Sequence, residues 1–87
     1  MAKGEKLLER MRANPRADWR IEDVQTVCRA FGLVLRKPGG GSSHATVSHP
    51  TQAQILTVVA RRPIKPVYIV KLVSFIDSVL EANHEGA

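Results

Sequence analysis

Cysteine is almost absent from the sequence, which limits how the fold can be held together. Cys28 is the single cysteine among 87 residues, so no disulfide can form within the chain. Its neighbours at helical spacing, Val24 and Val27, are apolar, which predicts a small buried side chain rather than a nucleophile. A lone cysteine is typical of a protein from a reducing compartment.

Long apolar runs are also absent. No stretch approaches the roughly 20 apolar residues that a membrane helix needs. Residues 1–6 lead into an amphipathic segment and lack the apolar centre of a signal peptide. We therefore expect a cytoplasmic protein without a membrane partner. A chain of 87 residues provides one domain, 1–87.

Acidic residues are outnumbered by basic ones. Eight Asp and Glu stand against 13 Lys and Arg, which gives a net charge of +5. An excess of this size indicates a polyanionic partner, and nucleic acid is the commonest. Many small proteins are basic without binding nucleic acid, so the positions of the charges along the chain have to decide.

The first third of the chain has helical periodicity. Apolar residues recur at helical spacing over residues 5–13 and again over residues 21–31. Pro15 ends the first helix, because the residue before a proline avoids helical backbone angles. Asp18 is the expected N-cap of the second helix, and Gly32 is its expected C-terminal stop.

The periodicity then becomes that of strands. Residues 33–37, 43–49 and 54–59 are predicted strands, separated by a glycine-rich segment and by a turn. The third strand is the most hydrophobic, so we expect it to be the best buried. Pro66 suits the first turn of a last helix. Apolar residues at helical spacing form one face of this helix, and residues 81–87 are expected to fray. The members of that face are Ile69, Leu72, Val73, Ile76 and Leu80.

These elements predict an α+β fold with the order α-α-β-β-β-α. The short connections between the strands favour an antiparallel three-stranded sheet with helices on one face.

His44 lies in the second predicted strand, where polar and apolar residues alternate. Ala45 and Val47 point to one face, and His44 with Ser48 points to the other. The residues before it have no bulky side chains, so a phosphate backbone can approach closely. A histidine exchanges protons near neutral pH, which suits removal of a proton from a ribose 2′-hydroxyl or its delivery to a leaving oxygen. An exposed strand histidine without a function fits the pattern about as well.

Several small residues near His44 are candidate phosphate contacts. Gly41, Ser42 and Ser43 precede it, and the Ser43 and Ser48 hydroxyls are able to hydrogen-bond a phosphate. His49 precedes Pro50 and is, with Ser48, a candidate for an auxiliary role.

Two basic groups flank this histidine if the strands form a meander. Arg36 and Lys37 end the first strand, and Arg61, Arg62 and Lys65 follow the third. Both groups then meet at the end of the sheet where His44 begins the second strand. Cations beside a histidine are what phosphodiester cleavage uses, because they hold the backbone and stabilise developing negative charge. The alternative is that these residues only solubilise exposed turns.

Other reactive assemblies are missing from the sequence. No His, Cys, Asp and Glu cluster has metal-ligand spacing, and the glycine run at 39–41 is not followed by the Gly-Lys-Ser/Thr of a nucleotide loop. We therefore expect neither a metal nor another cofactor, and acid–base chemistry by histidine is what remains.

The segment Gly41-Ser42-Ser43-His44-Ala45-Thr46-Val47-Ser48-His49-Pro50 resembles the HicA family of bacterial toxins. That family has a Ser-His pair on a strand, matched here by Ser43-His44, and a His-Pro pair five residues later, matched by His49-Pro50. Residues 3–8 and 55–58 also resemble family segments. The similarity covers about two thirds of the chain.

This resemblance implies a fold similar to the double-stranded-RNA-binding domain. It also implies a toxin of a type II toxin–antitoxin system, an mRNA endoribonuclease that depends on His44 and stops translation. A HicB antitoxin would neutralise it by covering the active site. The chain departs from the family at Ser42, where glycine is usual. It also lacks the family's histidine after the third strand, and its helix over 21–31 is additional.

Two further interpretations remain open. The same basic turns suit a non-catalytic RNA-binding module that recognises A-form RNA by its shape and phosphates. They also suit a protein-interaction domain in which Arg61, Arg62 and Lys65 meet an acidic partner. Steep weakening of RNA binding with rising salt would separate the first from the second.

Overall fold

A computed structural model describes residues 3–37 and 43–85 of the chain. The predicted order α-α-β-β-β-α is confirmed. The elements are α1 (Lys3–Ala13), α2 (Ile21–Ala30), β1 (Val34–Arg36), β2 (His44–Ser48), β3 (Leu56–Val59) and α3 (Pro66–Glu85).

The three strands form one antiparallel sheet with β2 in the centre. Leu35 of β1 lies opposite Val47, and Val58 of β3 lies opposite Ala45. Ala45, Val47 and Val58 are fully buried, because this face of the sheet is covered by the helices. The predicted layer arrangement is therefore confirmed, and the alternate residues of β2 are left on the opposite, open face.

The start of α2 differs from the sequence prediction. Arg20 is the N-cap, and its backbone N–H donates to the Asp23 carboxylate at 3.0 Å. Asp18 is not the cap, because a turn places Trp19 outside the helix; its N–H donates to the Ala17 carbonyl at 2.8 Å. The cap therefore lies two residues later than predicted, whereas the helix begins at Ile21, where the apolar spacing predicts it.

The end of α2 agrees with the prediction that Gly32 stops it. Gly32 has a φ of +75°, in the left-handed region that glycine adopts without strain. The Leu33 N–H reaches back to the Cys28 carbonyl at 2.8 Å, and the Gly32 N–H lies 3.5 Å from the Arg29 carbonyl. This is the Schellman arrangement, and the buried Leu33 side chain fixes the direction in which the chain enters β1.

The last helix supplies the largest share of the core. Ile69, Leu72 and Ile76 are fully buried, as predicted. Leu80 was predicted on the same face but is 40% exposed, because Val79 occupies the buried position one residue earlier. The helix continues to Glu85, beyond residue 81 where the sequence predicts fraying to begin.

The prediction that β3 is the best buried strand is wrong. Val58 is its one fully buried residue; Leu56 and Val59 are half-buried, Thr57 is exposed, and Ile55 just before the strand is 64% exposed. The physical reason is topological. In the order β1-β2-β3 the third strand lies at an edge, and only one face of the sheet is covered.

Among the described residues, no helix has the length and apolar character needed to cross a membrane.

Candidate active site

The sheet brings the end of β1, the start of β2 and the end of β3 together at one end of the sheet. Arg36 lies opposite Thr46, and His44 lies opposite Val59. Because paired residues in an antiparallel sheet point to the same face, Arg36, His44 and Val59 share the open face. We call this region the basic end of the sheet, meaning Arg36, Lys37, His44, Arg61 and Lys65.

His44 is the first residue of β2 and is exposed on the open face. Ala45 next to it is fully buried, so the strand is fixed by its apolar neighbours while the imidazole faces outward. The predicted alternation along β2 is confirmed by the observed burial of Ala45 and Val47. A rigid strand is a better support for a reacting group than a loop.

A pocket of about 270 Å³ lies at His44. Its walls come from β2, from the end of β3 and from the connection to α3, and they are formed by Ser43, His44, Val59, Arg61, Pro63 and Lys65. This volume is below the roughly 300 Å³ at which typical small-ligand pockets begin, so the pocket is small for a drug-sized ligand. Among the described residues that line it there are two cations and no carboxylate.

The connection that carries the two cations is held in place from both sides. At its start the Ala60 N–H donates to the Ser43 carbonyl at 2.6 Å, which extends the β2–β3 pairing past His44. In its middle Ile64 is 1% exposed, and its N–H donates to the Trp19 carbonyl at 2.8 Å. Arg61 and Lys65 therefore project from a segment anchored to the core.

Arg62 belongs to the same connection but does not line the pocket. Its guanidinium donates to both oxygens of the Asp18 carboxylate, at 3.0 and 3.4 Å. This hydrogen bond raises the pKa of Arg62 and lowers the pKa of Asp18. The predicted RNA contact by Arg62 is therefore not part of the arrangement at His44.

Arg36 and Lys37 are both exposed at the other side of His44. Arg36 lies one strand away from β2 and two residues along it, which is about 8 Å in backbone distance from His44. It shares the open face with His44 but does not line the pocket.

His49 and Ser48 lie at the far end of β2. The distance along the strand from His44 to His49 is about 16 Å, too long for both to act on one phosphate. The Nδ1 atom of His49 accepts the Thr51 N–H at 3.1 Å and lies 2.7 Å from the Thr51 hydroxyl oxygen. His49 thus stabilises the β2–β3 turn. Ser48 shares the face of His44 but is half-buried, about 13 Å away along the strand.

Two predicted contacts, Gly41 and Ser42, lie outside the described residues. Of the small residues before His44, Ser43 is described; it is half-buried and lines the pocket.

A larger groove of about 680 Å³ lies elsewhere, between α3 and the segment 52–56. It contains no histidine and a single charged residue, Lys71, so it offers no acid–base group near neutral pH. Within the described parts of the chain, no three His, Cys, Asp or Glu residues are grouped to hold a metal ion.

The arrangement combines one proton-exchanging group with fixed positive charge. The pocket is able to hold a phosphate against Arg61 and Lys65 while the His44 imidazole reaches an oxygen attached to it. Sequence reasoning missed Val59, Pro63 and Ile64, which shape the pocket or anchor its wall. The one available signal for Ile64 was an isolated apolar residue inside a basic segment.

Comparisons with protein-family models, with curated proteins and with solved structures found no match to this chain.

Proposed function

We propose that this chain is an endoribonuclease that cleaves RNA at the pocket beside His44. The observation that carries the proposal is that His44, Arg61 and Lys65 line one pocket on the open face of the sheet. The resemblance of the segment 41–50 to HicA toxins supports the same reaction.

The reaction proceeds through the ribose 2′-hydroxyl. The 2′-oxygen loses its proton and attacks the adjacent phosphorus, and the bond from phosphorus to the 5′-oxygen breaks. The leaving 5′-oxygen gains a proton, and the products are a 2′,3′-cyclic phosphate and a free 5′-hydroxyl. His44 transfers one of these two protons, and Arg61 and Lys65 stabilise the negative charge on the phosphate oxygens.

In this proposal the chain is the toxin of a type II toxin–antitoxin pair. Its substrate is cytoplasmic mRNA, and a HicB-like antitoxin neutralises it by covering the pocket. Acidic side chains on such a partner would complement the exposed Arg61 and Lys65.

The test compares purified wild-type chain with His44→Ala and His49→Ala on a long single-stranded RNA in excess chelator. The wild type and His49→Ala are expected to produce fragments, and His44→Ala is expected to leave the RNA intact. His49→Ala is the matched control, because it removes an imidazole that lies one residue past the far end of β2. Equal cleavage by wild type and His44→Ala would contradict the assignment of His44.

A modified RNA tests the chemistry itself. Replacing the 2′-hydroxyl at a mapped cut site by hydrogen is expected to abolish cleavage there and to leave other sites unaffected. Continued cleavage at the modified site would rule out the cyclic-phosphate route. Intact RNA with every variant, together with a salt-sensitive mobility shift, would point to a non-catalytic RNA-binding module instead.

A further inference from the structure

The outer edge of β3, a strand of four residues, lacks two of the features that normally protect a strand edge. Both β1 and β3 are edge strands. β1 has only three residues, includes Arg36 and is followed by Lys37, so its edge is short and charged. β3 contains neither charge nor proline, and the whole segment 51–60 is uncharged. Charge, proline and short length are the usual protections of an edge, and β3 has neither of the first two.

The hydrogen bonds of the sheet show which backbone groups of β3 face outward. The Ala60 N–H donates to the Ser43 carbonyl at 2.6 Å, so hydrogen-bonded pairs start at this position. They alternate along an antiparallel ladder, which makes Val58 the next hydrogen-bonded partner of β2. Thr57 and Val59 therefore direct their N–H and C=O groups away from β2, which gives the edge two donors and two acceptors.

Exposed apolar side chains lie at the start of β3 and on the first turns of α3. Ile55, Val67 and Val70 are 64%, 51% and 51% exposed, and they are three of the five large hydrophobic residues exposed in the described chain. The groove of about 680 Å³ runs between the start of β3 and α3, with Val70 and Phe75 in its wall. Lys71 also lines it, and the long apolar stem of lysine allows its ammonium group to stay in water.

We propose that two copies of this chain pair through this edge, β3 against β3, about a two-fold axis at Val58. In this antiparallel register Thr57 of each copy lies opposite Val59 of the other, and each such pair exchanges two hydrogen bonds. The two outward N–H groups and two outward C=O groups of each β3 edge are then all hydrogen-bonded to the other copy. The pairing stands independently of the proposed ribonuclease activity.

The distribution of charge favours a second copy as the occupant despite the net charge of +5. The register places Arg61 of one copy opposite the uncharged Ile55 of the other. The two Arg61 positions are then separated by six residues along the strands, about 20 Å, which exceeds the screening length of about 8 Å at physiological salt.

The first turns of α3 reinforce this choice. The groove places Val70 beside the start of β3, and Val67 lies one turn nearer the start of the helix. Val70 therefore lies beside Ile55 and Leu56, and Val67 is exposed on the same helix. A two-fold axis at Val58 brings the apolar patch of one copy against the same patch of the other, as an isologous interface requires.

The paired sheet would have six strands and one continuous open face. The two His44 positions would lie on that face, separated by three strand spacings and two residues along the strands, about 16 Å. A single RNA strand would then meet two equivalent pockets.

The first test is the solution mass of the full chain by sedimentation equilibrium over a range of concentrations. The wild type is expected to change from one 9.6 kDa chain to two as concentration rises. Val70→Lys places like charges near the axis and is expected to raise the dissociation constant about tenfold or more. Val34→Lys is the matched control, since Val34 is 48% exposed on the opposite edge, and it is expected to dimerise as the wild type does.

Amide hydrogen exchange locates the contact. The Thr57 and Val59 amides are expected to become protected as protein concentration rises, whereas the Val58 amide is protected at every concentration because it bonds within the sheet. A chain that remains monomeric at millimolar concentration would overturn the proposal. So would a dimer that Val70→Lys leaves intact and in which the Thr57 and Val59 amides stay unprotected.

Discussion

Cys28 and His44 are two single residues whose exposure to solvent differs sharply. Cys28 is 1% exposed among Val24 and Val27, whereas His44 stands on the open face. Burial raises the pKa of the Cys28 thiol to about 12 from its ordinary 9.0. The thiolate is the reactive form, so the sequence prediction that this cysteine is not a nucleophile agrees with its surroundings.

Cys28 is expected to resist thiol reagents in the folded protein. A pKa raised from 9.0 to about 12 lowers the thiolate fraction at neutral pH about a thousandfold, and the buried position hinders access as well. Labelling by a disulfide reagent at pH 7 should be slow in buffer and complete within minutes in denaturant. Rapid labelling in buffer would show that the α2 packing opens easily.

Gly4 is a second residue whose role follows from its surroundings. It is buried in α1, and a Cβ at this position would collide with the Ala30 Cβ and lie 3.3 Å from the Thr26 carbonyl oxygen. Both neighbours belong to α2 and are short or rigid, so neither can move aside easily. Glycine therefore sets how closely α1 approaches α2.

Gly4→Ala is expected to lower the free energy of unfolding. Overpacking costs about 1–3 kcal/mol, which exceeds the roughly 1 kcal/mol that alanine gains over glycine inside a helix. Urea unfolding followed by circular dichroism measures the difference, with the exposed Lys6→Ala as control. Adding Ala30→Gly should recover stability in the Gly4→Ala chain although it costs stability in the wild type. Additive effects of the two substitutions would contradict the contact.

The described ion pairs between elements are few and exposed to solvent, so apolar packing is the main contribution that holds the elements together. The Arg12 guanidinium of α1 donates to both Asp77 carboxylate oxygens of α3, at 2.7 and 2.8 Å. This contact lowers the pKa of Asp77 and raises that of Arg12. Their side chains are 51% and 43% exposed, so solvent screens the pair and its contribution is at most about 1 kcal/mol.

The contribution of this ion pair is expected to depend on pH in one direction. A carboxyl group whose pKa is lowered by folding stabilises the protein above its unfolded pKa, 3.8, and loses that effect as pH falls through the folded value. Asp77→Asn should therefore lower the free energy of unfolding by about 0.5 kcal/mol at pH 7 and by almost nothing at pH 2. Urea unfolding of both chains at the two pH values measures this. An equal deficit at pH 2 would mean that packing, not charge, is lost.

The elements themselves were predictable because each has a local signal. Helical spacing identified the helices, Gly32 ended α2 and alternation identified β2 with its outward His44. The burial of β3 was not predictable from its composition, because an apolar strand reads the same at the centre and at the edge of a sheet. Asp18 was misplaced as a cap because its contact, Arg62, lies 44 residues away.

The same limit applied to the candidate site. The predicted meander indicated which charged groups lie at the same end of the sheet as His44. Of these groups, Arg61 and Lys65 line the pocket. In the connection between β3 and α3, the buried Ile64 determines which side chains face the pocket. Ile64 packs against core residues that are distant in sequence, so no local sequence pattern predicts this arrangement.

For the whole molecule, the proposed RNA binding has two possible sources, the net charge of the chain and the basic end of the sheet. Replacing Arg61 and Lys65 with alanine removes two charges from the pocket. Replacing Lys6 and Arg29, which are exposed on α1 and α2, lowers the net charge equally. If the pocket holds phosphates, the first pair of substitutions should flatten the plot of log binding constant against log salt by about 1.4, since each contact to single-stranded RNA contributes about 0.7.

The second pair should leave that slope unchanged, because the number of phosphates contacted stays the same while only distant charge is lost. Fluorescence anisotropy with a labelled RNA, titrated at several salt concentrations, measures both slopes; the His44→Ala background prevents cleavage during the titration. Equal flattening by both pairs would mean that RNA binding depends on the overall charge of +5 and is not localised at the basic end of the sheet. Flattening by the first pair alone would assign phosphate binding to Arg61 and Lys65, beside the histidine proposed to act on it.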